Sequence, residues 1–193
     1  HKFIFDLQKQ GVIVQTATRP FSITIGSSDK QFGYGTVVVS VQQQPLSSDK
    51  VFEIIQAASK DANIEVHSIG SGFSNSGIDL GSNYVRTLKK PEAIMIIGTG
   101  VAASEAGEVW HLLDQRLSMP ITKADILTFS RIDLTRYNTM IMVSGNYALL
   151  DKSSVDKIRA WIQNGNTLIT IKGGAEWAIR NGITKHKLIT DSV

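Results

Sequence analysis

The chain of 193 residues contains no cysteine. That excludes a disulfide framework, a thiolate zinc site and a cysteine nucleophile. It leaves the compartment open, because an oxidising space permits cysteines without requiring them. Proline is scarce, at 4 residues, and the 16 glycines follow no three-residue period, so proline-rich and collagen-like readings fail. Apolar runs stop at four to six residues, far short of the ~20 that a membrane-spanning helix needs. Neither sign of charge dominates: 20 Lys and Arg against 17 Asp and Glu leave a net +3. The basic residues are scattered rather than striped, so no nucleic-acid partner is expected. What is present is 42% hydrophobic and 19% charged, a globular composition long enough for one ordinary domain or two small lobes. The chain begins at His1 without a signal-like stretch and reads as a piece cut from a longer protein.

Short β-branched runs at Val12 to Val14, Thr36 to Val41, Ile64 to Ile69, Ala93 to Ile97, Thr139 to Val143 and Leu168 to Ile171 have the look of buried parallel strands. Helical periods lie between them. Val51, Ile54, Ile55 and Ala58 follow the cap-rich Ser47-Ser48-Asp49. Ala106, Val109, Trp110, Leu113 and Leu117 form a second stripe with Ser104 as its cap. Val155, Ile158, Trp161 and Ile162 form a third, opened by Asp151 and closed by Asn164-Gly165. A short fourth helix is expected from near Ala175 to Asn181-Gly182. Alternating strands and helices predict an α/β fold with a doubly wound, mainly parallel sheet. Residues 19–35 read as a hairpin excursion and 70–84 as a glycine-rich loop or linker. Leu88-Lys89-Lys90-Pro91 is the best boundary, separating an N-terminal α/β lobe (1–88) from a second domain (89–193).

Gly98-Thr99-Gly100-Val101-Ala102-Ala103 matches G-x-G-x-x-A between a strand and a helix, the form of a dinucleotide site or of a tight turn. Asp125 lies 27 positions after Gly98, beyond the usual ~20. Glu105 and Glu108 in the helix's first turns would repel a pyrophosphate. Glu108 and His111 share a helix face with Gln115, which reads as a solvated or interfacial face more than as an acid–base pair. The four histidines, His1, His67, His111 and His186, show no metal-ligand spacing. The most informative stretch is Thr167 to Gly182, TLITIKGGAEWAIRNG. An apolar strand runs through Lys172-Gly173-Gly174 straight into a helix, the form of a sharp elbow that can hold one side chain in a strained pose.

The second domain resembles the class I glutamine amidotransferase-like superfamily, itself flavodoxin-like. The resemblance rests on AIMIIGTGVAASEAGEVWHLLDQR, ITKADI, YNTMIMVSGN and SSVDKIRAWIQNGNTLITIKGGAEWAIRNG, over roughly residues 91–183. Active members carry a cysteine at the elbow, where Lys172 stands here. The resemblance therefore implies a domain without glutaminase chemistry, in which Lys172 pairs with Glu105 or Glu108 across the carboxyl edge. The corresponding expected ligand site is Lys172, Gly173, Glu105, Glu108, Gly145 and Asn146, with no catalytic or metal-binding residue. The whole chain is similar to the C-terminal region of bacterial zinc carboxypeptidase-like proteins, through GVIVQTATRPF, FGYGTVVVSVQQQ, SGIDLGSNYVRTLKKP, ASEAGEVWHLLDQRLSMPITKADI and YNTMIMVSGNY. That implies an exported, periplasmic or extracellular parent whose zinc and peptidase residues lie upstream of His1, with no cofactor in this part. The expected role is a non-catalytic accessory domain that positions substrate, packs on the peptidase domain, supports a homo-oligomer or binds a small ligand. The alternatives are a lysine-dependent enzyme at the elbow and a nucleotide-binding module at Gly98–Ala103.

Overall fold

A computed structural model describes residues 1–189 of the chain. It divides into two compact units, His1–Lys90 and Pro91–Val193. The first holds α1 (Lys2–Lys9), β1 (Gln15–Ala17), β2 (Phe21–Ile25), β3 (Ser28–Phe32), β4 (Val37–Val38), α2 (Ser48–Ala62), β5 (Ser76–Gly77) and β6 (Val85–Thr87). Its strands form two three-stranded antiparallel sheets, β4-β1-β6 and β3-β2-β5. Phe3 and Leu7 of α1 meet Ile54 and Ala58 of α2 over Val12 and Val14.

Three expected strands of this unit are corrected. Val12 to Val14 is not a strand: Val12 donates to the Leu7 carbonyl at the end of α1, and both backbone groups of Ile13 bond to the side chain of Gln44. A glutamine thus satisfies polar groups that a neighbouring strand would have taken. Thr36 to Val41 shortens to Val37–Val38, and a 3₁₀ turn follows from Val41 to Gln43. Ile64 to Ile69 forms no strand. Asn63 turns the chain in the left-handed region (φ 51°), and Ser59 then engages Ile64 through both backbone and hydroxyl. Ile64, Val66 and Ile69 are exposed. The hairpin in 19–35 is present as β2 and β3, and the 70–84 loop contributes the short β5 to the edge of β2. The parallel sheet is confined to the second unit.

That unit runs β7 (Ala93–Ile97), α3 (Ala103–Trp110), β8 (Ile121–Asp125), β9 (Thr139–Met142), α4 (Lys152–Gln163), β10 (Thr167–Thr170) and α5 (Gly173–Arg180). Its sheet has four parallel strands in the order β10-β9-β7-β8. Central strands buried on both faces read as unbroken apolar runs. Ile94, Ile96, Met140 and Met142 pack against α4, α5 and Phe129 on one side, while Met95, Ile141 and Val143 pack against α3 on the other. The Asp151 carboxylate caps α4 by accepting from the Ser154 amide at 2.8 Å, as its position in the sequence predicts. Ser104 does not cap α3: the helix begins at Ala103, and Ser104 lies inside its first turn. Past Trp110 the helix widens into a π-helical turn from His111 to Arg116.

The connection from β7 leads to one side of the sheet and that from β9 to the other. The strand order therefore reverses between β7 and β9, where open α/β sheets form a crevice at the carboxyl ends of their strands.

Candidate functional site

At the carboxyl edge, Ile171 extends the ladder by donating to the Met142 carbonyl, and the chain then turns at Lys172 into α5. Lys172 has φ 47° and ψ −113°. This is a conformation that L-residues with side chains avoid and that surrounding structure must impose. The two glycines that follow impose it by close approach. A Cβ on Gly173 would stand 3.1 Å from the Gly145 nitrogen, and one on Gly174 2.4 Å from the Met142 oxygen. Only bare backbone lets α5 start this close to the end of β9.

The Lys172 side chain projects outward and is largely exposed, and its Nζ donates to Glu105 Oε1 at 2.7 Å. Glu105 sits in the first turn of α3, where the helix dipole favours an anion. Its other oxygen accepts from the Ser144 amide at 2.9 Å. The Lys172 ammonium, and after it the Ser144 N–H, hold the Glu105 carboxyl below the usual carboxylate range. The same contact raises the Lys172 amine above its ordinary value, and the charge of Glu108 adds to the effect. Beneath them Tyr147 is buried and donates to the Val143 carbonyl at 2.8 Å. Burial, and secondarily Glu105, pushes its phenol up to about 12.

The loops after β7 and β9 are stitched together. Asn146 donates to the Gly100 carbonyl and Ala102 to the Ser144 carbonyl, each at 2.8 Å, and Val101 bridges Gly145. A Cβ on Gly100 would meet the Asn146 oxygen at 2.7 Å, and one on Gly98 the Asp125 carboxylate at 3.1 Å. These glycines serve internal close packing. The Asn146 backbone stands against Gly100, and Glu105 stands in the first turn of α3.

Of the residues expected at the site, the structure brings Lys172, Glu105, Gly173 and Gly145 together. Glu108 stays exposed one turn further along α3 and acts on Lys172 through its charge alone. Asn146 contributes its backbone to the loop contact and turns its side-chain oxygen to the Ala148 amide. Glu108 and His111 are both exposed. Among the described residues no three His, Asp or Glu side chains assemble as a metal-binding group, and no helix is long and apolar enough to cross a membrane.

Sequence reasoning missed Ser144 and Tyr147. Ser144 acts through its backbone amide, which carries no residue signature. Tyr147 follows β9 by a few positions and offered only its aromatic character as a signal. No family model, curated protein or solved structure matches the chain.

Proposed function

We propose that this chain is a non-catalytic accessory domain of an exported zinc carboxypeptidase-like protein, comprising an N-terminal lobe (1–88) and a class I glutamine amidotransferase-like domain (89–193) that lacks the elbow cysteine. One observation carries the reading. Lys172 has the strained backbone that such an elbow requires, yet its side chain is engaged by Glu105 instead of presenting a nucleophile. The strand order β10-β9-β7-β8 is compatible with a flavodoxin-like sheet, in which such an elbow stands at the carboxyl edge.

A lysine-dependent enzyme needs a neutral amine, obtained by desolvation or by a neighbouring cation. Lys172 has the opposite surroundings: it is exposed and paired with a carboxylate that favours its charged form. Borohydride in the presence of a simple aldehyde or keto acid should therefore label Lys172 no faster than another exposed lysine such as Lys152, as followed by peptide mass mapping. Selective labelling of Lys172 ahead of the other exposed lysines would overturn the non-catalytic reading. The zinc would belong to the upstream peptidase domain, which is also the expected partner, and export to the periplasm or the exterior follows from the same resemblance. Reading the coding frame upstream of His1 tests this part. The expectation is an H-x-x-E with a distant second histidine and a downstream glutamate. A frame without them would sink the assignment to a peptidase, whatever the elbow does. In the full-length parent, Lys172→Ala should leave peptidase turnover essentially unchanged.

A further inference from the structure

Away from the elbow, α3 and the sheet enclose a half-open cavity of about 300 Å³. Met95, Ile97, Val101, Ala106 and Trp110 give it apolar walls, and among the described residues Lys123 of the edge strand β8 is its one charged lining residue. Pockets of this size and character, with a single well-placed polar group, suit small organic ligands. The Lys123 amine lies 4.7 Å from the centroid of the Trp110 ring. Among the described residues no carboxylate stands within ion-pair distance of it, so its charge rests on the π face and on solvent.

Two further features point to the same space. Gly107 lines the cavity from the middle of α3, and a Cβ there would meet no atom within 4 Å. Gly107 is exposed, a glycine inside a helix costs stability relative to alanine, and no packing contact among the described residues calls for one here. Its bare backbone keeps that wall of the cavity open to an occupant. The π-helical turn that begins directly after Trp110 is the second feature; such turns are concentrated at functional sites.

We propose that this cavity binds a small monocarboxylate with an apolar, flat body, the ring lying against Trp110 beside Gly107 and the carboxylate meeting Lys123. Charge selects the class. Lys123 offers an unpaired cation at an apolar wall, while Asp125, two residues further along β8 with its carboxylate against Gly98, disfavours a second negative charge on the ligand. The site is separate from the Lys172–Glu105 pair and does not depend on the accessory-domain reading.

The test titrates the whole chain with 3-phenylpropionate, 3-phenylpropanol and phenethylamine while following the tryptophan indole N–H signals by nuclear magnetic resonance. The acid should move the Trp110 signal with a Kd of about 1 mM, the range for a fragment of this size, and leave the buried Trp161 and Trp177 unmoved. The alcohol should bind about tenfold more weakly, and the amine more weakly still. Lys123→Gln should bring acid and alcohol to equal affinity. Gly107→Leu should fill the cavity and remove binding of both, with Trp161 and Trp177 reporting an unchanged core. No Trp110 shift with the acid at about 10 mM would overturn the proposal. So would equal affinity for the acid and the amine, or an acid affinity untouched by Lys123→Gln.

Discussion

Gly174→Ala and Gly107→Ala make the same chemical change in two helices of one unit, and they should move stability in opposite directions. At Gly174 the new methyl group would stand 2.4 Å from the Met142 oxygen and 2.9 Å from the Val143 oxygen. Both are backbone atoms, the first held by the Ile171 amide at the end of the β9 ladder and the second by the Tyr147 hydroxyl, so no side chain can swing aside. Restoring ordinary contact needs a displacement of about 1 Å between α5 and β9, an overpacking that costs about 1–3 kcal/mol. At Gly107 the methyl group enters open space and the helix gains about 0.5–1 kcal/mol. For a unit of about 100 residues, ~4–8 °C per kcal/mol puts Gly174→Ala lower in Tm by roughly 8–16 °C for a 2 kcal/mol loss. Gly107→Ala should rise by roughly 2–8 °C on the same scale. Trp110, Trp161 and Trp177 all lie in the second unit, so tryptophan emission during heat or urea unfolding follows that unit alone. A Gly174→Ala variant as stable as the parent, or two variants shifted in the same direction, would refute the close-packed elbow.

Tyr147→Phe removes the hydroxyl that donates to the Val143 carbonyl and should cost about 1 kcal/mol by urea unfolding near neutral pH. Because the folded phenol is raised from 10.0 to about 12, its stabilisation is present below pH 10 and is lost as pH rises towards 12. The variant should have the flatter alkaline limb, and superimposable limbs would refute the burial argument. Glu105 has the opposite sign: its lowered folded value makes its stabilisation present above the ordinary carboxylate range and lost as pH falls through and below 4.5. Glu105→Gln should therefore flatten the acid limb of tryptophan-detected unfolding, while an unchanged limb would show that the Lys172 pair contributes nothing there. Trp161→Phe leaves the Leu134 and Tyr137 carbonyls without the indole N–H they share at 3.1 and 3.0 Å. It should cost about 1–3 kcal/mol, and a neutral result would mean that water replaces the donor.

The parts of this protein legible in its sequence are those governed by short-range chemistry. Asp151 announces its helix because a carboxylate three residues before the Ser154 amide can cap it in any context. The runs AIMII and TMIM announce strands because burial on both faces requires apolar residues at every position. TIKGG announces a sharp turn because two glycines between a strand and a helix leave the backbone free to approach its neighbour. The pattern of Val12 to Val14 and Ile64 to Ile69 is equally β-branched, yet neither forms a strand, although the Val14 carbonyl accepts from the Leu88 amide just before β1. Whether a strand forms depends on a second edge within reach, and in these two places a Gln44 side chain and the turn at Asn63 take that role.

Tertiary structure alone decided which atoms meet at the carboxyl edge. Glu105 and Lys172 are 67 positions apart, and a pairing with Glu105 or with Glu108 was equally consistent with the sequence. The fold selects Glu105 because the Ser144 amide holds its second oxygen. The two glycines of the G-x-G-x-x-A motif carry no mark of whether a phosphate or a neighbouring loop approaches them. Here the loop from β9 approaches Gly100 and the Asp125 side chain approaches Gly98. The cavity under α3 is likewise invisible in the sequence, because empty space is a property of the packed elements around it. What the order of residues determines is each segment's local conformational preference, and what the folded chain adds is the set of neighbours that satisfies or overrides it.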